Sequence, residues 1–247
     1  MNQPDRGHDD VSVVLIVRNG AEYLGAAIAS VLRSRHPPLE ILVIDGGSTD
    51  DTCRIAAREP RVRVIAQQSR GVPGAYNEGI AAARGELIAF ISHDDLWEPG
   101  KLDVQAALMR RHPELDLTVT LVQHFLAAGA RVPPGFRPEL LEHAVPGLIM
   151  EALMVRPRVF DKVGRFDPAF TAGEDTDWFA RVRDAGLPME VIPQALVLKR
   201  VHATNFSINA PALNAQLLRA LRGSIGRKRG QAATAVGSAV GHPGRGA

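Results

Sequence analysis

The first hundred residues alternate between short apolar runs and stretches in which apolar residues recur at helical spacing. The run from Val11 to Val17 is interrupted only by Ser12. A strand without regular polar alternation is typical of a parallel sheet covered on both faces. Together with further strands predicted at 41–44, 62–66 and 87–91, it indicates a buried sheet in this half of the chain.

Three helices are predicted between these strands, at 21–32, from Ser48 to about Glu59, and at 74–83. Ser48 is expected to be the N-cap of the second helix. The alternation of strand and helix favours an α/β fold with a mostly parallel sheet flanked by helices. Ligands of such sheets bind beyond the carboxyl ends of the strands. The polar side chains at these ends are Asn19, Asp45, Ser48 and Asp94.

The second half of the chain is less regular. Its pattern predicts helix 99–111, strand 116–122, a long surface loop over 131–145, strand 148–155, helix 177–185, strand 195–201 and an amphipathic helix over 211–221. We divide the chain into a flexible N terminus (1–10), one domain (11–207) with halves 11–100 and 101–207, a C-terminal helix (208–222) and a disordered basic tail (223–247).

The composition is that of a soluble globular protein, with 45% hydrophobic and 23% charged residues. One cysteine excludes an internal disulfide framework. No signal-peptide core and no apolar run of roughly 20 residues is present, so we expect a cytoplasmic protein, at most peripheral to the inner face of a membrane.

Charge is distributed unevenly along the chain. From Ile208 onward there are six basic and no acidic residues, which leaves 23 basic and 27 acidic residues before it. The mildly acidic body and the lack of aromatic residues in the tail argue against nucleic-acid binding. A basic tail suits contact with anionic lipid instead.

Adjacent carboxylates, Asp94 and Asp95, follow directly after an apolar run that ends in Phe90-Ile91. Two negative charges at the end of a buried strand repel each other and lose hydration, so a cation is expected to neutralise them. Hard oxygen ligands suit Mg²⁺ or Mn²⁺, which also bind phosphates. The pair therefore predicts a metal–diphosphate site, although two loop aspartates that cap the next helix would give the same pattern.

Five segments follow one another along the chain: Val43–Thr52, Gly71–Gly79 with Ala75 and Asn77, Phe90–Leu102, Gly173–Trp178 with Arg181, and Arg200–His202 with Asn205 and Ser207. Together they resemble the motifs of the family 2 glycosyltransferases with the GT-A fold, which is Rossmann-like. The resemblance covers roughly residues 12–207. It implies a nucleotide-binding first half and an acceptor-binding second half.

The resemblance implies a metal-dependent, inverting transfer of sugar from a nucleotide-sugar to a saccharide, lipid-linked or other hydroxyl acceptor. It implies Asp175 as the general base, with Glu174 and Asp177 as competing carboxylates, and Asp94, Asp95 and His202 as ligands of Mn²⁺ or Mg²⁺. The donor-binding residues would be Asn19, Glu22, Asp45, Asn77, His93, Asp94 and Arg200. Two positions depart from the motifs, because Gly46 stands at the second acid of the nucleotide turn and Ser92 at the first acid of the DXD triplet.

Two other classes of protein stay open. A nucleotidyltransferase shares the metal–diphosphate chemistry, but Val17–Gly20 is too short for the Gly-rich basic loop expected after its first strand. A catalytically inactive binding module of the same fold is disfavoured by the intact Asp94, Asp95 and Asp175. The donor base, the sugar and the acceptor are not specified by these patterns.

Overall fold

A computed structural model of the chain describes residues 11–35, 37–202 and 216–229. The strands are β1 (Val11–Val17), β2 (Glu40–Asp45), β3 (Val62–Ala66), β4 (Leu87–Ser92), β5 (Leu96–Trp97), β6 (Leu117–Leu126), β7 (Val145–Pro146), β8 (Met154–Val155) and β9 (Met189–Val201). The helices are α1 (Leu24–Leu32), α2 (Thr52–Ala56), α3 (Gly71–Ala82), α4 (Lys101–Arg111), α5 (Glu139–Glu142), α6 (Arg158–Val163) and α7 (Glu174–Asp184), with a 3-10 turn at Met150–Ala152. Residues 216–229 form a further helix, the C-terminal helix. The N terminus predicted to be flexible, 1–10, lies outside the described residues.

The described strands form one sheet in the order β3-β2-β1-β4-β8-β6-β9-β5, with β7 paired to β6. The four strands of the first half are parallel to one another, and β6 is parallel to β9. The short strands β5, β7 and β8 pair antiparallel to their neighbours. The predicted α/β class with a mostly parallel sheet is therefore confirmed, and the carboxyl ends of β1, β2 and β4 lie at one edge.

The core is centred on β1, β2 and β4, whose apolar residues are buried on both faces of the sheet. Helix α3 packs on β1 and β2. The approach is close at Gly79, where an added Cβ would lie 2.3 Å from Cγ1 of Val14. This contact brings the backbone of α3 near the sheet, and only a residue without a side chain fits there.

Strand β9 begins at Met189, six residues before the predicted start. The register of β6 against β9 shifts between Thr120 and Leu121, so that Thr120 pairs with Ile192 and Leu121 with Ala195. The residues skipped by this bulge include Pro193, which has no backbone N–H and is rare inside a strand. The predicted strand, 195–201, therefore covers only the part of β9 after this bulge.

The prediction of one strand over 148–155 is wrong for the first part of that segment. The segment holds the 3-10 turn at Met150–Ala152, and only Met154–Val155 is extended into β8. The turn is fixed by Gln105 of α4, which is fully buried and whose amide donates to the carbonyl of Ala152 at 3.0 Å. The predicted loop over 131–145 likewise contains the short helix α5, and α6 and β5 were not predicted.

The C-terminal helix extends beyond the predicted boundary, because residues 223–229 are helical rather than disordered. Asp184 at the end of α7 accepts hydrogen bonds from Ser224 Oγ and Arg227 Nε, both at 3.0 Å. These contacts dock the helix onto α7. The predicted disorder of 230–247 and the helix start at 211 lie outside the described residues. Within the described part of the chain, no helix is both long and apolar enough to span a bilayer.

Replacing Gly79 with alanine tests the packing of α3 on the sheet. Gly79→Ala should lower the free energy of unfolding by about 1–3 kcal/mol, because the new methyl group overlaps Val14. Gly25→Ala in α1 is the matched control, since its Cβ would meet Ile55 at an ordinary 3.7 Å. That control should stabilise the protein by about 0.5–1 kcal/mol. Urea unfolding of both variants gives the measurement, and equal effects of the two would contradict the packing.

Candidate functional site

The carboxylate of Asp95, directly before β5, is fully buried, and both of its oxygens are engaged. Its Oδ2 lies 2.9 Å from Nζ of Lys199, and its Oδ1 accepts a hydrogen bond from the backbone N–H of Arg200 at 2.8 Å. The acid pair therefore has the cation that the sequence predicted, but that cation is a lysine of β9. With both oxygens engaged, Asp95 would have to leave Lys199 to ligate a metal ion directly.

The Lys199 ammonium also contacts a second buried carboxylate. Oε1 of Glu151, in the 3-10 turn, lies 3.4 Å from Lys199 Nζ and accepts a hydrogen bond from Ser92 Oγ. Ser92 stands where the motif has its first acid, and Glu151 brings a carboxylate to that place from another part of the chain. Neither Glu151 nor Lys199 was identified from the sequence.

The charges of this cluster depend on burial and on its single lysine. Burial raises the pKa of Asp95 to about 7; Lys199 opposes this shift, and Glu151 and Asp94 add to it. Burial disfavours the ammonium of Lys199, but Asp95 and Glu151 raise its pKa above its usual range. Lys199 is therefore a cation at neutral pH, set between two acids.

Asp94 faces His202 across the site. Its Oδ2 lies 3.0 Å from Nε2 of His202, and its side chain is 13% exposed. Burial raises the pKa of Asp94, but the charges of His93 and Lys199 and the hydrogen bond with His202 lower it below its usual range. Burial lowers the pKa of His93. Asp94 is therefore an ionised carboxylate beside an imidazole, at the edge of the cluster that meets solvent.

Arg200 lies between two aromatic rings. Its guanidinium carbon is 4.5 Å from the ring centre of Tyr23 and 4.7 Å from that of Phe125, and its Nε donates to the carbonyl of Asp94 at 2.8 Å. The ring of Tyr23 also lies 5.5 Å from that of His202. Tyr23 and Phe125, which the sequence did not mark, thus position Arg200, which it did.

The predicted nucleotide-binding residues Asn19 and Asp45 connect the turns after β1 and β2. Asn19 has a left-handed φ of 53°, its Oδ1 accepts from the N–H of Thr49 at 2.8 Å, and its own N–H donates to Ser48 Oγ. Asp45 accepts from the N–H groups of Gly47 and Ser48. The prediction that Ser48 is the N-cap of α2 is wrong, because Asp51 occupies that position.

Glu22 and Asn77 occupy different surroundings. Glu22 is exposed beside Tyr23, and its hydrogen bond raises the pKa of the tyrosine. The amide of Asn77 is engaged in two hydrogen bonds with the backbone of Phe166, at 2.8 and 3.0 Å, which tie α3 to the segment after α6. A contact of Asn77 with the donor stays a prediction, whereas its structural contact is clear.

The acids at the start of α7 are half-buried. Partial burial is the main reason that the pKa of Glu174 is raised to about 7 and that of Asp175 to about 6; the charge of Asp175 contributes to the first shift, and the charge of Glu151 contributes to both. The first turn of α7 therefore faces the same cluster as Lys199. The third candidate, Asp177, is paired with Arg181 at 2.9 Å. This pairing separates Asp177 from the two acids whose charges interact with the site.

Within the described residues, no group of three or more His, Cys, Asp or Glu side chains is placed to hold a metal ion. Of the three predicted ligands, Asp95 is paired with Lys199. Asp94 and His202 are paired with each other and could hold an ion together. Two protein ligands suit an ion that completes its shell with oxygens of a substrate and water.

The profile described as Glycosyl transferase family 2 matches residues 12–164. Because this match covers more than half of the chain, the chain belongs to that family. An uncharacterized glycosyltransferase of Nostoc sp. is 41% identical over 97 residues, which are 37% of this chain and 30% of that protein. An uncharacterized glycosyltransferase of Rickettsia typhi is 27% identical over 218 residues, 81% of this chain and 67% of that protein. The chain thus spans from under a third to about two thirds of these relatives.

Solved glycosyltransferase structures share the fold. S. aureus TarS 1–349 in complex with UDP-GlcNAc superposes with a TM-score of 0.70 at 16% identity, covering 88% of this chain and 66% of that one. Glucosyl-3-phosphoglycerate synthase from Mycobacterium tuberculosis gives 0.63 at 21% identity, covering 87% and 80%. The GT-A fold implied by the motifs is therefore confirmed.

Replacing Lys199 tests its role as the internal counterion. Lys199→Met should lower the free energy of unfolding by about 3–5 kcal/mol, since it leaves Asp95 buried without a cation. The pKa of Asp95 should rise further, so this variant should be most stable at low pH. Its stability should then fall as the pH rises above about 4, the pKa of an unfolded aspartate. Thermal unfolding from pH 4 to 8 gives the measurement.

The matched control for that variant is Lys162→Met. Lys162 also contacts a buried carboxylate, Asp116, at 3.1 Å, but Arg158 stays 2.7 Å from the same group. Its loss should therefore have a small effect with no comparable pH dependence. A Lys199 variant that behaved like this control would show that the ion pair with Asp95 is not what neutralises the site.

Proposed function

We propose that this chain transfers a sugar from a nucleotide-sugar to a hydroxyl group, with inversion at the anomeric carbon and with the help of a divalent metal ion. The observation that carries the proposal is one arrangement at the carboxyl edge of the sheet. It contains an ionised Asp94 with His202 and Arg200, and the charges of the half-buried acids Glu174 and Asp175 interact with that of Glu151 in the same cluster. Family membership supports glycosyl transfer, and the pairing supports its mechanism.

The proposed metal ligands are Asp94 and His202, with Mn²⁺ or Mg²⁺ as the ion. A carboxylate with an imidazole suits Mn²⁺ better than Mg²⁺, because Mg²⁺ strongly prefers oxygen. An ion bound there would neutralise the charge of a leaving nucleoside diphosphate. Arg200, fixed between two rings, adds a second positive charge that does not depend on the ion. Asp95 acts through Lys199 and keeps Asp94 in place.

Asp175 is the better general base of the two acids in the first turn of α7. A base must be ionised to accept the proton of an attacking hydroxyl. With a pKa of about 6, Asp175 is mostly ionised at neutral pH, whereas Glu174, with a pKa of about 7, is not. Glu174 is the alternative base, and the pH profile of the reaction distinguishes the two.

The names of the solved structures support a nucleotide-sugar donor. They include TarS with UDP-GlcNAc, a mannosyltransferase with GDP-Man and Mn²⁺, and glucosyl-3-phosphoglycerate synthase with UDP and either Mn²⁺ or Mg²⁺. They differ in base and sugar, so the donor of this chain is best found directly. A thermal-shift panel of UDP-, GDP-, dTDP- and ADP-sugars with Mn²⁺ would identify it by ligand stabilisation.

Several finer predictions stay proposals. The proposed acceptor is a saccharide, a lipid-linked or another hydroxyl compound. We also propose that the protein is cytoplasmic and that its basic C-terminal residues contact anionic lipid, neither of which the fold tests. The nucleotidyltransferase alternative is displaced by the family match. An inactive binding module would bind a donor in the panel and release no nucleoside diphosphate from it.

Asp94→Asn should abolish metal-dependent donor binding. The amide removes the charge that ligates the ion and leaves the shape of the side chain nearly unchanged. Calorimetric titration of the best donor from the panel, with and without Mn²⁺, gives the measurement. Asp175→Asn is the control, because its carboxylate is assigned to the acceptor. Unchanged, Mn²⁺-dependent affinity in a folded Asp94→Asn protein would contradict the assigned ligand.

Asp175→Asn should separate chemistry from binding. Transfer, or hydrolysis of the donor by water, should fall by about 10²–10⁴-fold, the effect of losing a general base. In the unmodified protein the rate should rise with pH through about 6 and then level, because the ionised base is the active form. If the rate of Asp175→Asn still rises with pH through about 7, the base is Glu174. Proton NMR of the product should show the inverted anomer, and a retained one would contradict the mechanism.

A further inference from the structure

A cavity of about 630 Å³ lies between α7, the segment that precedes it and the C-terminal helix. None of the residues assigned above to the donor or the metal lines it. Its wall is strongly basic, with five arginines against two aspartates. The charged lining residues are Arg165, Arg181, Arg219, Arg222, Arg227, Asp167 and Asp177.

Three of these arginines are paired with carboxylates, which fix their positions. The pairs are Arg181 with Asp177 at 2.9 Å, Arg219 with Asp167 at 3.2 Å, and Arg227 with Asp184 at 3.0 Å. Arg219 also stacks on the ring of Phe170 at 4.7 Å. The wall is therefore ordered by its own contacts, and a ligand would not have to organise it.

The other two arginines, Arg165 and Arg222, are exposed and have no hydrogen-bond or ion-pair partner among the described residues. Two positive charges of the cavity are thus uncompensated by any residue within 11–35, 37–202 and 216–229. The Nη2 atom of Arg181 is buried and also lacks a hydrogen-bond partner within the described part of the chain. Because this atom has no contact with solvent, it is also closed off from the cavity, and Arg165 and Arg222 are guanidinium groups that are open to a ligand.

We propose that this cavity binds a phosphate group of a ligand, at a site separate from the donor site. A phosphate dianion matches the two uncompensated guanidinium groups and supplies several acceptors for forked N–H donors. The cavity is much larger than one ion, so the phosphate belongs to a larger molecule.

The cavity lies on the face of α7 that is turned away from the candidate base. Asp177 and Arg181 follow Asp175 by two and six residues, which are about 200° and 240° around the helix, and neither Glu174 nor Asp175 lines the cavity. The proposed phosphate site therefore does not depend on the proposed function of the acids of α7.

Binding of inorganic pyrophosphate in EDTA tests the site without donor or metal. The unmodified chain should bind it in calorimetry, and Arg165→Gln/Arg222→Gln should weaken binding by about 10-fold or more, since two charged contacts are lost. Neither arginine supports the fold, so the double variant should unfold at the same temperature as the unmodified chain. Unchanged binding in Arg165→Gln/Arg222→Gln would place the pyrophosphate elsewhere on the chain and overturn the proposal.

Two further variants control for general charge and for space. Arg33→Gln/Arg58→Gln removes two exposed arginines from the turns after α1 and α2 and should leave binding unchanged. Equal weakening by both double variants would reduce the effect to net charge and overturn the site. Gly223→Leu keeps every arginine and fills the cavity, so it should weaken binding, and unchanged affinity would overturn the location.

The phosphate could belong to a soluble molecule or to a lipid headgroup, and vesicles distinguish the two. Phosphatidylcholine vesicles with and without phosphatidic acid are sedimented with the unmodified chain and with both double variants. Pyrophosphate binding that depends on Arg165 and Arg222, without such dependence for vesicles, supports a soluble ligand. Vesicle binding that depends on them supports a lipid-borne phosphate. The absence of both dependences would overturn the proposal.

Discussion

The ion pair between Asp95 and Lys199 lies where β5 meets β9. Leu96 of β5 pairs with Leu198 of β9 in an antiparallel ladder, so Asp95 and Lys199 are the next residues on the two sides of that ladder, and Asp95 also accepts a hydrogen bond from the N–H of Arg200. A buried pair of this kind contributes little net stability, but removing one partner is costly. Together with the pairing of β5 and β9, it holds Arg200 and His202 beside Asp94.

Neighbouring residues of β9 have different roles because side chains alternate along a strand. Lys199 is directed toward the interior acids, and Arg200 toward the aromatic rings and Asp94. Successive side chains of a strand point to opposite faces, so consecutive residues can serve a buried cluster and an open site at once. The parallel partner β6 reinforces this division, because Phe125 pairs in register with Arg200 and stacks on it.

The sequence predicted the first four strands and the site edge well, because a strand buried on both faces has a continuous apolar pattern. Through motif resemblance it also predicts that Asp94, His202 and the acids of α7 belong to one site, which stays a prediction. It missed Glu151, which comes from a 3-10 turn without any periodic pattern. Lys199 did carry a signal, since a lysine inside the apolar strand predicted at 195–201 needs a carboxylate partner. The unexplained charge of Asp95 was that partner, and a metal ion was assigned to it instead.

Because the counterion of Asp95 is part of the chain, folding does not depend on the binding of a metal ion. A site neutralised only by metal would fold or unfold with the supply of that ion. Here the most deeply buried acid is neutralised by Lys199 before any ligand arrives. A chelator should therefore leave the sheet intact, and a bound ion should add only the stabilisation expected from mass action. The edge of the sheet is thus assembled in advance, and its core does not need the proposed metal ion to hold it together.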